Sequence, residues 1–383
     1  MDYKEMTINL ILNRWEDVKR EREKLKKNLQ RWSKNGQREI CFFGAGPKGK
    51  ELYDSLKREQ IIPHFFCDND LKKQNSVISM YENEIKCISP IKLLKIKNPI
   101  VIITLSHVEA VYQQLKELGI KDIIKYPSLY LLEQFNIFSY SKMELMDIID
   151  SLFYILEDER SKKIIYKRFY SYLVFNKELS NFTFTDIYSK DKYVPLDIIM
   201  KSDIKIVVDG GAYVGDTLQY FVEQADEYIK EYICYEMDKE NYKMLMSFIR
   251  ELPQYIKDKI EINNLGLSNK NDIVNYSGAL EVCKIVSDGN ESARVVQLDS
   301  HQKGRKISYI KMDIEGSEID ALEGAKKIII ENKPICAICA YHTIEHLWKI
   351  PFLLKQLVPE YKIYFRHHDE TECELVCYAV LKN

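Results

Sequence analysis

Ile206-Val207-Val208-Asp209-Gly210-Gly211-Ala212-Tyr213-Val214-Gly215-Asp216-Thr217 sets three apolar residues before an acid, a glycine-rich turn and a pattern able to open a helix. Glycine lets backbone approach where a Cβ would collide. Strand, glycine turn and helix in this order build a nucleoside-type pocket at the carboxyl end of a parallel strand. Such turns serve many ligands, so the downstream segments decide which one.

Tyr232-Ile233-Cys234-Tyr235-Glu236 reads as a second strand ending in a carboxylate. An acid there accepts hydrogen bonds from both hydroxyls of a ribose, a charge-assisted contact contributing roughly 1.5–3 kcal/mol. Alone, Glu236 reads as an exposed strand-end acid; beside the glycine turn, the ribose role is the better reading. Asp209, at the tip of the first strand, either braces the turn or meets the amino-acid end of the ligand. Ile307-Ser308-Tyr309-Ile310-Lys311-Met312-Asp313-Ile314-Glu315-Gly316-Ser317-Glu318 is a further apolar strand ending in acids before a helix.

With that third element the chain resembles the FkbM family of class I methyltransferases. The family's K-x-D-x-E-G-x-E is matched by Lys311, Asp313, Glu315, Gly316 and Glu318, and its first motif by Asp209-Gly210-Gly211-Ala212 with Gly215 and Thr217. Its ribose-binding acid is matched by Glu236. Its N-x-A-L-S stretch corresponds to Asn264-Leu265-Gly266-Leu267-Ser268, where glycine replaces alanine. The resemblance runs from about Tyr193 to the C-terminus. It implies methyl transfer from S-adenosyl-L-methionine to an oxygen, often a hydroxyl of a sugar or secondary metabolite, and so a transferase of carbohydrate modification or polysaccharide biosynthesis. The implied cofactor residues are Asp209, Gly210, Gly211, Ala212, Gly215, Asp216, Thr217, Glu236, Met237, Asn264 and Gly266.

Methyl transfer also needs a proton acceptor within hydrogen-bond reach of the acceptor hydroxyl. Asp313, at a strand end, is the first choice and His342, closing the next strand, the second. Both stand where open α/β sheets place ligands. Glu315 and Glu318 read as acids flanking the helix that follows. A subgroup of the family is similar in its Y-H-x-x-x-x-L-W-x-I-P stretch (Tyr341, His342, Leu347, Trp348, Ile350, Pro351) and in Arg366-His367-His368. These residues, His367 among them as a catalytic candidate, either line the acceptor pocket or bind a divalent metal such as Mg with Asp313. Two solvated loop histidines are the plain alternative, and spacing fixes no metal ligand set.

Two motifs read as decoys. His342-Thr343-Ile344-Glu345-His346 matches the H-x-x-E-H zinc signature, but His342 ends a strand, whereas that signature needs one helix under both histidines. Cys336 and Cys339 lie three apart on a strand and face opposite sides. Cys373 and Cys377 are about 13 Å apart along an extended strand. All four read as buried free thiols. The segments 361–366 and 373–380 read as a terminal antiparallel hairpin.

The chain has 383 residues, 46% hydrophobic and 30% charged, which is ample for two ordinary domains. A net charge of −2 argues against a general nucleic-acid binder. No apolar run reaches membrane-spanning length, and no signal peptide is expected. Nine cysteines, an odd number, suggest a reducing compartment, most simply the cytoplasm.

The fold expected is α/β: two Rossmann-like parallel-sheet domains joined by a helical bridge, the C-terminal one a class I methyltransferase fold with its terminal hairpin. Boundaries fall at 1–36 (N-terminal helix), 37–127 (Rossmann-like), 128–200 (helical bridge) and 201–383 (methyltransferase). In the first segment Ile8, Ile11, Trp15, Val18, Arg22, Leu25, Leu29 and Trp32 make a heptad seam interrupted by one arginine. It reads equally as a homodimeric coiled coil or as a helix lying on the next domain. In the second, Ile40-Cys41-Phe42-Phe43 precedes Gly44-x-Gly46-x-x-Gly49, and an acid, Asp68, ends a strand about 20 residues on. That layout resembles small domains attached to sugar-modifying enzymes, some of which bind nucleotide-sugars. A binding or positioning module outranks a dehydrogenase, because no Tyr-x-x-x-Lys pair accompanies it; a fold that has lost its ligand is the third reading. The partner expected is a small-molecule sugar, nucleotide-sugar or glycan. A nucleotide-sugar oxidoreductase and a non-catalytic ligand-binding scaffold remain rival functions.

Overall fold

The computed structural model describes residues 2–80, 83–105, 108–125, 137–173, 184–279, 282–286, 289, 291–370 and 373–381. The expected domain end at Tyr126-Pro127 and the first part of the bridge lie outside these residues. The chain divides into two compact units. One holds Met1–Lys4, Asp147–Lys167 and Phe184–Asn383; the other holds Glu5–Met146 and Arg168–Thr183. The stretch read as a bridge is thus shared between them.

In the N-terminal unit, β1 (Ile40–Phe43), β2 (Phe65–Cys67), β3 (Val77–Met80), β4 (Asn83–Ile88), β5 (Ile100–Ile103) and β6 (Asp122–Lys125) form one sheet of order β3-β4-β2-β1-β5-β6. All pairings are parallel except β3 with β4. The continuous apolar runs Ile40–Phe43 and Ile100–Ile103 are buried on both faces, as central parallel strands require.

The helix Tyr3–Asn35 buries Ile11, Trp15, Val18 and Leu29 of the heptad seam. Leu29 joins the core formed with Ile40, Leu52 and Phe66, and the Trp15 ring lies 4.7 Å from that of Phe138. Arg22, the interrupting residue, is also buried; it donates to the Tyr172 carbonyl and sits 4.8 Å over the Phe138 ring. The seam is therefore satisfied within the chain, which removes its support for a homodimer.

In the C-terminal unit, β7 (Ile206–Gly210), β8 (Glu231–Tyr235) and β9 (Ile260–Asn263) are followed by a smaller sheet. It comprises β10 (Gly266–Leu267), β11 (Asp272–Ala279), β12 (Val282–Ile285) and β13 (Glu291–Val296), in the order β10-β13-β11-β12. Sequence reading did not anticipate this insertion. The main sheet then resumes with β14 (Tyr309–Met312), β15 (Ile335–Cys339), β16 (Lys362–His367) and β17 (Leu375–Val380). Its order is β16-β17-β15-β14-β7-β8-β9, parallel from β15 to β9 and antiparallel through β17 and β16.

Fully buried strands alternate side chains between two helix-covered faces. On one face Val207, Tyr232, Tyr309, Ala337 and Tyr378 share a core. Phe221, from the helix Asp216–Ala225, packs edge-on against Tyr232 and Tyr309 at 5.6 and 5.3 Å between centroids. The outer edge of β16 pairs singly with Leu156 and Tyr188, which limits its exposed backbone. No helix of the described residues is long and apolar enough to cross a membrane. Cys336, Cys339 and Cys377 are buried free thiols as expected; Cys373 departs from that reading in being only half-buried.

Candidate active site at the carboxyl ends of β7, β8, β14 and β15

The main sheet reverses its winding between β7 and β14, and a crevice at such a switch point is where open α/β sheets hold ligands. The glycine turn after β7 forms one wall. Gly211 has φ +74, and a Cβ there would lie 1.9 Å from the Asp313 carbonyl oxygen; Gly215 has φ +97, and its Cβ would lie 2.5 Å from the Phe248 ring. Both glycines are thus demanded by the chain's own packing, before any ligand enters. The backbone N–H groups of Gly211 and Ala212 donate to the Tyr235 carbonyl, tying the turn to β8. Asp216 opens the helix Asp216–Ala225, and Thr217 in its first turn is buried.

Asp209 does not face the crevice. It is fully buried, with Lys311 Nζ 2.8 Å from Oδ1 and the Tyr232 hydroxyl donating to Oδ2 at 2.8 Å. Lys311 in turn donates to the carbonyl oxygens of Gly210 and Gly211 at 3.2 and 2.7 Å. Of the two roles expected for Asp209, the brace is the one built. It anchors Lys311, and Lys311 holds the glycine turn. Burial opposes the Lys311 ammonium, but the neighbouring Asp209 and Asp313 carboxylates outweigh it and hold its pKa above the ordinary lysine value.

Glu236 follows β8 directly and is nearly buried. Its carboxylate accepts from the backbone N–H of Tyr213 (2.9 Å) and of Asp238 (2.8 Å), which fixes it against the glycine turn. Burial raises its pKa from 4.5 to about 7, against the pull of those two donors. Asn264 supports this corner from below, donating to the carbonyls of Glu236 and Met237 at 2.8 and 3.2 Å. Gly266 runs close to Val295 and Met237. Asn264 and Gly266 thus shape the turn that carries Glu236. Asp238 caps the helix Lys239–Glu251 through the N–H groups of Glu240 and Asn241 and accepts from the Tyr276 hydroxyl at 3.0 Å. That last bond connects the small sheet to the site.

Asp313 stands at the end of β14, its N–H donating to the Gly210 carbonyl across the switch point. The Tyr193 hydroxyl donates to its Oδ2 and the Tyr341 hydroxyl to its Oδ1, both at 3.0 Å. His342 Nε2 lies 3.4 Å from Asp313 Oδ1 and 3.5 Å from Glu315 Oε1, while its Nδ1 lies 2.8 Å from Glu318 Oε1. Burial resists ionisation of Asp313, but His342, Lys311 and Lys192 overcome it and hold the carboxyl well below its usual range. Burial likewise opposes the His342 imidazolium, but Glu318 and Glu315 overcome it and raise that pKa well above 6.5. A carboxylate so stabilised is a weak proton acceptor, which runs against Asp313 as the general base.

His346 meets the same cluster, its Nδ1 3.5 Å from Glu318 Oε2. The helix His346–Leu357 begins after His342, so no helix carries both histidines, as the sequence suggested. The two nevertheless converge on Glu318. Glu318 also accepts from the Ile314 N–H and is completely buried, a deeper role than flanking a helix.

His367 is not at the crevice surface. It is fully buried, its ring 4.5 Å from that of Phe184, which corrects its placing among the catalytic candidates. His368 bridges the Ser189 carbonyl and the Tyr378 hydroxyl at 2.8 Å each, and burial lowers its pKa to about 4. Arg366 donates to Asp158 and Asp197. The Arg366–His368 segment thus builds the hairpin's interior, and neither histidine is a solvated loop residue. Tyr193, near the end of the expected helical bridge, adopts φ +64 and puts its hydroxyl on Asp313. Lys192 beside it pairs with Glu374 at 2.5 Å.

In the N-terminal unit, Asp68 accepts from the N–H groups of Ala45 and Asp70 (2.9 Å each) and from Lys73 Nζ (3.0 Å). The acid that follows β2 is thus engaged in holding its own glycine turn. Gly49 is required there because a Cβ would lie 2.0 Å from the Gly44 carbonyl oxygen.

Comparison with known proteins agrees with this geometry. The chain is similar to the crystal structure of methyltransferase FkbM from Methylobacillus flagellatus KT, at 19% identity and TM-score 0.67 over 89% of each chain. Lesser matches, an rRNA methylase from Streptococcus thermophilus (14% identity, TM-score 0.29, 48% of this chain and 92% of that one) and precorrin-6y C5,15-methyltransferase from Geobacter metallireducens GS-15 (9%, 0.30, 52% and 96%), carry no argument at such scores. No curated protein matches the chain in sequence. The model of the methyltransferase FkbM domain matches residues 209–368, from the acid of the first motif through the last histidine of the hairpin. Over that span, residues 209–368, the chain matches the methyltransferase FkbM domain.

Proposed function

We propose that this methyltransferase carries the methyl group of S-adenosyl-L-methionine to an oxygen, a hydroxyl of a sugar or glycan precursor. The observation that supports this most is the placing of Glu236. Its carboxylate is locked beside the glycine turn by two backbone N–H groups, with lone pairs left over for a ribose. Two strands away at the switch point, Asp313 with Tyr193 and Tyr341 offers a polar cluster for the acceptor.

The methyl step joins an acceptor oxygen lone pair to the methyl carbon while the carbon–sulfur pair returns to sulfur. What the chain must supply is alignment, which in well-oriented pairs reaches effective molarities of about 10⁵–10⁸ M. The Tyr193–Asp313–Tyr341 array can hold the acceptor hydroxyl, which donates to the Asp313 carboxylate or to a phenol oxygen whose own proton is given to Asp313. The sugar class rests on the family resemblance and on the appended N-terminal unit, which we read as a positioning module. Cytoplasmic location remains our expectation.

The test is incubation of the full chain with methyl-labelled S-adenosylmethionine and nucleotide-sugar or polysaccharide fractions. Label should enter an alkali-stable ether. Tight cofactor binding with no label in any hydroxyl fraction would favour a scaffold instead.

A further inference from the structure

We propose that Asp313, Glu315 and His342 form a divalent-cation site at the carboxyl ends of β14 and β15, with Glu318 as the buried carboxylate that orients His342. The inference deepens the methyl-transfer reading and rests on it for its purpose, though not for its geometry.

One ligand atom from each of the three residues lies within 4.8 Å of the other two. The His342 edge of that triangle measures 3.4 Å to Asp313 Oδ1 and 3.5 Å to Glu315 Oε1. Both exceed the reach of a good hydrogen bond, and neither ring nitrogen of His342, a residue only 9% exposed, makes one among the described residues. Those lengths lie a few tenths of an ångström beyond the edges, about 2.8–3.1 Å, of an octahedron with bonds of about 2.0–2.2 Å, a gap that a small rotation of the carboxylates closes. An unsatisfied buried nitrogen aimed between two carboxylates is expensive unless something bridges them.

A second arrangement supports the assignment. A metal-bound histidine typically gives its other ring nitrogen to a carboxylate, which fixes the ring's orientation. Here Nδ1 lies 2.8 Å from Glu318 Oε1, and Glu318 is fully buried. The backbone also departs from the ordinary to bring Glu315 in. Glu315 has φ +56, followed by Gly316 at φ +103, two left-handed residues in succession after the strand. A non-glycine residue in that region costs of order 1 kcal/mol or more and clusters at functional sites.

Two carboxylates and one imidazole suit a hard-to-borderline dication of the manganese or magnesium class and leave positions open. An acceptor hydroxyl taking one position would be acidified by the ion. Its proton then leaves to solvent, the oxygen pair forms the bond to the methyl carbon, and sulfur keeps the pair of the broken bond. The acceptor class that fits is one presenting a hydroxyl with a neighbouring oxygen, as in a sugar diol.

The second cluster, Glu318 with His342 and His346, is the competing location. Titrating Mn²⁺ into the metal-stripped full chain, followed by loss of the free-ion electron paramagnetic resonance signal, separates the two. One ion per chain is expected. Glu315→Gln and His342→Gln should each weaken it at least tenfold, Glu318→Gln by about 10–100-fold, and His346→Gln by less than twofold. Calorimetric binding of S-adenosylmethionine by the same variants checks that they are folded. A chain that binds the cofactor while the Mn²⁺ signal stays undiminished overturns the metal site and leaves the methyltransferase reading intact. Loss of Mn²⁺ in His346→Gln but not in Glu315→Gln moves the ion to the inner cluster and equally overturns the proposal.

Discussion

Glu236→Gln, compared with wild type across pH, probes the cofactor pocket and the cost of building it together. Burial raises the Glu236 pKa from 4.5 to about 7. A carboxyl whose folded pKa exceeds its unfolded value contributes stability that is complete below pH 4.5 and lost as pH rises through about 7. The shift corresponds to about 3 kcal/mol. Cofactor binding has the opposite sign, because the ribose hydroxyls need the ionised acceptor. With a pKa near 7, about a tenth of the sites are ionised at pH 6 and about nine-tenths at pH 8, so apparent affinity should rise about tenfold. The glutamine variant should lose both trends. It should hold one of the two N–H groups now held by the carboxylate, keep its melting temperature flat between pH 5 and 8, and bind S-adenosylmethionine about 10–100-fold more weakly at pH 8. Scanning calorimetry of the free chain and titration calorimetry of the cofactor at pH 6 and 8 read out each arm. Equal cofactor affinity at the two pH values, or an unweakened glutamine variant, would refute the ribose assignment.

Three further outcomes follow from the same packing. Lys311→Met strands the fully buried Asp209 carboxylate and should cost about 3–5 kcal/mol in urea unfolding. Adding Asp209→Asn should restore part of that loss, since a double substitution removes the unpaired charge. Gly211→Ala drives a methyl group into the Asp313 carbonyl and should abolish cooperative folding or lower stability by more than 3 kcal/mol, whereas Gly46→Ala, with open space at its Cβ, should cost under about 1 kcal/mol. Leu29→Ala should destabilise the chain by about 2–5 kcal/mol in thermal melts without changing its mass by light scattering, because its seam packs internally.

The sequence announced the strands and the strand-end acids because those signals are local. Val207-Val208, Ile310 and Ile338 sit in runs that only a doubly covered parallel sheet can hide. What local pattern could not reveal was each acid's partner. Asp209 and Glu236 look alike in sequence, each closing an apolar strand before a turn. Yet Asp209 is consumed by Lys311, about a hundred residues on and adjacent only through the pairing of β14 with β7. The lysine stood in the quoted K-x-D motif, but nothing in its spacing named the carboxylate it would meet. The heptad seam was likewise legible as periodicity, while the surface that covers it was not. His367 was misplaced for a related reason: a pair of histidines beside an arginine suggests chemistry, but both faces of β16 are covered, and every residue from Ile363 to His367 is buried. Tyr193 left no motif at all. Its position depends on a left-handed backbone at the margin of the helical segment and on a hydrogen bond to Asp313 across 120 residues.

The final hairpin has a temporal implication. Because β17 lies between β15 and β16, β16 emerges from the ribosome before the only long strand it can pair with. Until Leu375–Val380 has been synthesised, the apolar segment Ile363–Phe365 has only the single bridge to Leu156 for a neighbour and must wait, exposed or chaperoned, beside a half-finished sheet. Completion of this sheet is therefore tied to translation of β17, and nascent chains stalled before it should be sensitive to proteases at a core that the pairing of β16 with β17 conceals.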